Sequence, residues 1–465
     1  MPDLESVLIY NHLFSGSIEE KRRNSESSQV YESQWIFENE SFNRLFIITT
    51  TQRLLYTIFS NNHSDKLKLA SFRNSLLIVD EVQTIPKYIL KMLVKVIDSM
   101  HRFLGTRTIL VSATIPYELQ TVPATQASEH TERSYLEMTK KQINFQPWLS
   151  LDLDSLKDGR TLVMANTRRK AANIFNSIVR CSNCRHKMDN HDDDNSSKEK
   201  KVMCLVRNCV CSVFSPDTLY LSSGIRKRDK IKILSQIHEK EKTEAQKTLV
   251  STQVVEAGVD ISFSHIFREK APLDSIIQVM GRLNRETETD AAQLIVFEYD
   301  NEFRPYSQLE LVESEKILRE AKDSTQLYSS LSRYYKSVSL KNETYRKYSS
   351  ELEYHISRLD FDKVWEFINN HVLNKALENE RDIVLIPDLY EWNEIKQLIM
   401  KNKLTRTSYR RFADISASLP KKIYDLNIED YFDSEALGRN ILLPKKEYLN
   451  RVYDDMLGTD RWLID

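Results

Sequence analysis

Asp80-Glu81-Val82-Gln83 stands directly after the apolar run Leu76-Leu77-Ile78-Val79. A carboxylate at the end of a buried strand can hold Mg²⁺ through water, and a second beside it can orient or deprotonate an attacking water. Positioning and charge stabilisation then supply most of the catalysis of phosphoryl transfer. Asp80 and Glu81 fit those two roles and Gln83 completes the group; taken alone, the tetrapeptide also reads as an acidic helix cap. Ser112-Ala113-Thr114 follows the run Ile109-Leu110-Val111 and offers the hydroxyls of Ser112 and Thr114 to link hydrolysis to domain movement. Further on, the segment from Val250 to Ile261 joins a strand end to the polar Thr252 and Gln253, to Gly258 and to Asp260. Next comes Gln278-Val279-Met280-Gly281-Arg282-Leu283-Asn284-Arg285, in which Arg282 and Arg285 are placed on one helical face. Arginines so spaced can reach a γ-phosphate and neutralise the charge that develops on it. The four segments in this order outweigh their separate readings as caps and surface helices.

One part of this chemistry is missing from the sequence. A phosphate-cradling loop needs two glycines about five residues apart, followed by Lys and Ser/Thr, whereas the closest glycines here, Gly438 and Gly458, are 20 residues apart.

The elements that must carry these residues can be read from apolar periodicity. Short β-rich runs recur at Leu45 to Ile48, Leu76 to Val79, Thr108 to Val111, Thr161 to Met164, Thr248 to Val250 and Leu294 to Phe297, with helix-patterned stretches between them. That alternation predicts parallel α/β sheets. Leu90, Leu93, Val94 and Ile97 mark an amphipathic helix over Ile89 to Met100. The polar stretch 115–147, with Pro116, Pro123 and Pro147, reads as loop and interdomain linker. Leu309 to Tyr335 and Tyr348 to Leu377 read as helices, with a sheet signal only at Ile383 to Ile386. The expected organisation is an incomplete first α/β domain over 1–147, a second over 148–300, and a mainly helical accessory domain over 301–465.

With 465 residues and 41% hydrophobic content, the chain can bury cores for two or three domains. Its net charge is -1, so any nucleic-acid affinity must come from a local basic groove. No apolar stretch approaches the roughly 18 residues of a membrane span, and no basic leader precedes residue 12, so a cytoplasmic location without a membrane partner is expected.

The ordered segments resemble the superfamily 2 helicases, whose core is a pair of RecA-like domains. Asp80 to Gln83 looks like their motif II, Ser112 to Thr114 motif III, Thr161 to Thr167 the strand and turn of motif IV, Val250 to Ile261 motif V, and Gln278 to Arg285 motif VI. Thr49-Thr50-Thr51-Gln52 looks like a segment that touches the nucleic-acid backbone. Within that superfamily the phrasing is most similar to the CRISPR-associated helicase of type I interference systems. The segment Tyr220 to Asp229 and the terminal Tyr453 to Gly458 also look like parts of that family.

The resemblance implies an ATP- and Mg²⁺-dependent translocase with 3′ to 5′ polarity on single-stranded DNA, recruited in antiviral defence by an RNA-guided surveillance complex once an R-loop has formed. It places Asp80, Gly258, Asp260, Gln278, Arg282 and Arg285 on the nucleotide, and Thr50, Thr51, Thr252 and Gln253 on the strand. The four polar residues can equally cap helices. The resemblance also puts the P-loop ahead of Met1, so this chain is expected to be inactive alone and to need a P-loop-bearing polypeptide. A separate HD nuclease is a further expected partner, because the lone His191-Asp192 dipeptide does not make one. The alternatives are a catalytically silent nucleic-acid-binding scaffold and a general DNA or RNA helicase.

All five cysteines fall between residues 181 and 211. Cys181-x-x-Cys184, with two of Cys204, Cys209 and Cys211, resembles a small structural Zn²⁺ site on an insertion in the second domain. His186 and His191 are weaker ligand candidates, and unliganded or redox-active thiols are the other readings.

Overall fold

The computed structural model describes residues 7–10, 41–112, 141–147, 160–179, 218–239, 247–256, 261–284, 292–300, 305–358, 360–373, 383–400, 412–419, 428–432 and 441–463. The chain forms two compact units. The first comprises Met1–Ala124, Tyr335–Glu380 and Leu404–Ala413, and the second Thr125–Tyr334, Arg381–Lys403 and Asp414–Asp465. Residues 301–465 are therefore shared between the two.

In the first unit, β1 (Val7–Tyr10) pairs in parallel with β2 (Phe46–Thr49), and β3 (Leu76–Val79) with β4 (Arg107–Leu110). β2 runs into α1 (Thr51–Phe59), whose N-cap Thr50 accepts from the Arg53 N–H at 3.2 Å. Between β3 and β4 lies α2 (Lys87–Leu104), which extends the amphipathic run read from the sequence at both ends. Pro86 opens it, and Gly105 closes it in the left-handed region at φ +67, where a Cβ is strained. Ile89, Leu90 and Leu93 of α2 are buried with Val79, Val82 and, from the helices Glu343–Ser357 and Phe361–Ile368, Leu352 and Phe367. The opposite sheet positions behave differently: Phe46, Ile48, Leu76, Ile78, Ile109 and Val111 are between 43% and 59% exposed.

The second unit is built on a six-stranded sheet in the order β5-β10-β9-β6-β8-β7, with every pairing parallel. Its strands are β5 (Gln142–Pro147), β6 (Arg160–Met164), β7 (Thr218–Leu221), β8 (Lys247–Ser251), β9 (His265–Glu269) and β10 (Gln293–Glu298). β6, β9 and β10 are buried almost continuously, as strands covered on both faces must be. β6 leads into α3 (Arg168–Val179), β7 into α4 (Lys227–Glu239), and β9 into α5 (Leu273–Met280). Two further helices follow, α6 (Gln308–Glu320) and α7 (Ser324–Lys341), the second of which belongs to this unit as far as Tyr334 and to the first from Tyr335. The linker reading of 115–147 is corrected at its end, because Gln142–Pro147 pairs along β10. Its alternation of Gln142, Asn144 and Gln146 with Ile143 and Phe145 is the pattern of an edge strand, which polar composition alone disguised.

The chain terminus is bound into this unit. β11 (Ile383–Leu385), β12 (Ser416–Ser418) and β13 (Ile441–Leu442) form a small sheet in the order β12-β11-β13. Asp460, 0% exposed, accepts from Arg168, from Ser222 and, at 2.6 Å, from the Tyr220 hydroxyl. Burial and this carboxylate push the Tyr220 hydroxyl pKa well above its ordinary value. Thr459 N–H donates to Gly224 O at 3.1 Å, and Tyr453 OH donates to Asp229 Oδ2 at 2.8 Å. The two family-like segments, Tyr220 to Asp229 and Tyr453 to Gly458, therefore meet in the fold.

Gly458 has φ +60, and a Cβ there would lie 2.2 Å from Gly224 O. Gly458→Ala is expected to destabilise the second unit by more than about 1 kcal/mol, read as a lower thermal midpoint; an unchanged midpoint would refute this packing. A second expectation concerns pH. Lys141 Nζ donates to Met280 O at 3.1 Å, and burial lowers its pKa from 10.5 to about 8. Between those values the unfolded chain holds the proton that the folded chain has released, so stability rises with pH across that window. Denaturant melts should show this rise flattened in Lys141→Met, and an identical slope would count against it.

Candidate functional site

In the first unit the candidate groups sit where β3 and β4 end. Val111 N–H donates to Val79 O at 2.8 Å, and Val82 N–H donates to Val111 O at 3.2 Å, so the parallel pairing continues past both strands. It brings Asp80 to Gln83 beside Ser112. Ser112 Oγ donates to Gln83 Oε1, and Gln83 Nε2 donates to Glu81 Oε2. A hydroxyl, an amide and a carboxylate thus form one relay. Glu81 stands at φ +52, a left-handed conformation uncommon outside glycine and often held at functional sites. Val82, fully buried, anchors the turn. Glu81 stands at the N-cap position of the 3-10 turn Val82–Thr84 but its side chain makes no capping bond there, and Asp80 Oδ1 accepts from Glu81 N–H at 2.9 Å. Asp80 is left exposed at the strand end, where its hard oxygen donors fit a magnesium ion.

In the second unit the turn after β8 holds Thr252, Gln253 and Glu256. Thr252 is 5% exposed. Gln253 Nε2 donates to Asn166 O at 2.9 Å and to Tyr306 OH at 3.3 Å. α5 carries Gln278, half-buried, and stops at Met280. The expectation that Arg282 and Arg285 share a helical face is corrected for Arg282, which lies in a turn beyond the helix. Gly281 N–H takes the last helical carbonyls of Ile277 and Gln278, and Asn284 enters the left-handed region at φ +47. That turn is tied to the segment leading into β9 through Phe263 N–H to Arg282 O at 3.0 Å and Asn284 N–H to Phe263 O at 2.8 Å. Arg282 Nη2 reaches Glu256 O at 3.0 Å. The segments around Gln253 and Arg282, far apart in sequence, are thus joined directly.

A buried polar network that sequence reading did not single out surrounds them. Lys170 Nζ lies 2.7 Å from Glu269 Oε1 and 2.5 Å from Asp300 Oδ1. Burial alone would lower the Lys170 pKa, but these carboxylates outweigh it and raise it. Glu269 Oε2 accepts from Asn166 N–H at 2.7 Å. Glu256 is pushed up by burial, against the opposing pull of Arg268. The available signal was the charged pair Arg268-Glu269 closing the apolar Ile266-Phe267, a sequence too short for periodicity to flag; Tyr306 carried none. The basic trio after Ile225 is committed to structure. Arg226 bonds Asp229 and Ile386 O, Lys227 lies 2.8 Å from Asp414, and Arg228 forks onto Glu391.

Thr114, Gly258, Asp260 and Arg285 lie outside the described residues, as do Cys181, Cys184, Cys204, Cys209 and Cys211. Among the described residues no group of three or more His, Cys, Asp or Glu side chains could hold a metal, and no helix is long and apolar enough to cross a membrane.

Residues 157–288 match the family described as CRISPR-associated nuclease/helicase Cas3, C-terminal. A CRISPR-associated nuclease/helicase Cas3 of Methanothermobacter thermautotrophicus is 23% identical over 428 residues, covering 89% of this chain and 44% of the relative. The chain therefore spans less than half the length of that curated relative. Among solved structures, the ATP complex of T. fusca Cas3 superposes with a TM-score of 0.51 at 13% identity, over 86% of this chain and 54% of that one. A chain of a CRISPR RNA-guided surveillance complex in a pre-nicking state gives a TM-score of 0.51 at 13% identity, over 95% of this chain and 61% of that one. The likeness to the CRISPR-associated nuclease/helicases thus holds in sequence, most locally over residues 157–288, and in fold.

Proposed function

Starting from this likeness to the CRISPR-associated nuclease/helicases, we propose that the chain is the motor part of an ATP-dependent, single-stranded-DNA translocase of CRISPR antiviral defence. The observation that carries the reading is the relay Ser112–Gln83–Glu81 beside the exposed Asp80 at the ends of two parallel strands. Such a group joins a metal-holding carboxylate to a hydroxyl that senses domain movement. In this reading Asp80 holds Mg²⁺, Glu81 orients the attacking water, and Ser112 with Thr114 couples turnover to movement. Bound Mg²⁺ supplies charge neutralisation on the phosphates. Gly258, Asp260, Gln278, Arg282 and Arg285 serve the nucleotide from the second unit. Thr50 and Thr51 of the first unit and Thr252 and Gln253 of the second position the strand through its backbone.

A phosphate-binding loop would be supplied by a further α/β segment. The exposed apolar positions Phe46, Ile48, Leu76, Ile78 and Ile109 support this, because parallel sheets bury both faces. Recruitment by a guide-loaded surveillance complex follows by analogy with the relative found in one. For the cysteine cluster we keep structural zinc, on spacing alone. Purified protein should carry stoichiometric metal that Cys181→Ser/Cys184→Ser loses, and metal-free protein would end that assignment.

ATP hydrolysis stimulated by single-stranded DNA tests the motor reading, measured with a P-loop-bearing polypeptide supplied. Asp80→Ala should lower it by about a hundredfold or more. Stimulated hydrolysis indifferent to Asp80→Ala would contradict the assignment, and DNA binding without any hydrolysis would favour the silent scaffold.

A further inference from the structure

The motor reading leaves Arg268 without a task. Its side chain is wholly buried on β9, where a guanidinium loses water contacts that only well-placed acceptors replace. An apolar residue would fill the same place more cheaply, so the direction of the donors is what distinguishes the position. Nη1 donates to Asn166 Oδ1 at 2.6 Å and to Glu269 O at 3.1 Å. Nη2 donates to Glu256 Oε1 at 3.1 Å, Ser275 Oγ at 3.1 Å and Tyr306 OH at 3.2 Å.

Two of these acceptors lead outward to Gln253, whose amide donates to Asn166 O and Tyr306 OH. A third leads to Arg282, which donates to the backbone carbonyl of the same Glu256 whose carboxylate Arg268 holds. One rigid fork therefore stands between the turn assigned to the DNA strand and the arginine assigned to the nucleotide. Ser275 Oγ donates to Glu256 Oε1 at 2.8 Å, fixing that carboxylate from the α5 side. The Arg268 Nε–H finds no acceptor among the described residues.

We propose that Arg268, with Tyr306 as its second contact, is a positioning hub that couples Gln253 to Arg282. Movement of Arg282 away from Glu256 O toward a phosphate shifts Glu256 against the fork, and the fork re-aims Gln253 through Asn166 and Tyr306. This rests on the motor reading, and by linkage the coupling is reciprocal: nucleotide changes DNA affinity by the factor by which DNA changes nucleotide affinity.

The test measures anisotropy of a labelled oligo-dT with and without the non-hydrolysable analogue AMPPNP and Mg²⁺. It is made, with a P-loop-bearing polypeptide supplied throughout, on the parent protein, Tyr306→Phe and Arg268→Lys. The parent should show a coupling factor in the range of about 5- to 150-fold. Tyr306→Phe keeps the ring and removes only the hydroxyl; it should keep both separate affinities and lose about fivefold in coupling. Arg268→Lys keeps the charge without the fork and should abolish coupling.

Unchanged coupling in both variants would overturn the hub, as would a parent that binds both ligands independently. Loss of both separate affinities in both variants would reduce Arg268 to structural support and overturn it too. A parent that binds neither ligand would instead overturn the motor reading, and the hub with it.

Discussion

All six strands of the larger sheet run the same way, so the chain leaves each of them at one edge. Whatever follows a strand is delivered there, which is why ligands of open parallel sheets gather at the carboxyl ends. Asn166 follows β6, Ser222 follows β7, and Thr252 with Gln253 follows β8; Glu269 closes β9, and Asp300 comes after β10. In the smaller unit the same rule sets Asp80 to Gln83 beside Ser112, since β3 and β4 are parallel and in register. Short loops then need to do little more than turn, and the side chains on them are fixed by neighbours across the sheet.

That edge concentrates polar groups in places water does not reach, and the fold answers by giving each of the largest several partners. Arg268, Lys170 and Asp460 are each nearly or wholly buried and each is held by several partners. Removing one partner from such a set leaves an uncompensated charge, which is costlier than never having had the pair. The two networks serve different ends. Asp460 fastens the chain terminus to Tyr220, Ser222 and Arg168, and the close approach of Gly224 and Gly458 makes room for it. Arg268 joins segments that carry the candidate chemistry.

Much of this was legible because it depends on local pattern. Leu76 to Val79 forms its strand with the expected ends, and the apolar spacing of α2 marked both its existence and its buried face. β7 and β9 were not read as strands: each is short, and β9 mixes His265, Arg268 and Glu269 with only two apolar residues. Their strand state comes from pairing on both sides of β9 and on one side of β7, a tertiary effect that overrides local preference. The turn at Gly281 and Asn284 escaped for a related reason, since helical spacing continues through Arg282 while the backbone is drawn off by Phe263. The contacts of Arg268 and Tyr306 were beyond reach, because nothing in spacing says which buried donors will meet.

The central claim is that the strand-end groups of each unit, Asp80 to Gln83 in the first and Thr252 to Glu256 with Arg282 in the second, are where a nucleotide and a DNA strand are engaged. Hydrogen exchange of the protein together with a P-loop-bearing polypeptide, with and without a non-hydrolysable ATP analogue and single-stranded DNA, tests it most directly. The account predicts new protection at residues 80–84, 252–256 and 280–284 when both ligands are present. Protection elsewhere with those three segments unchanged would contradict it.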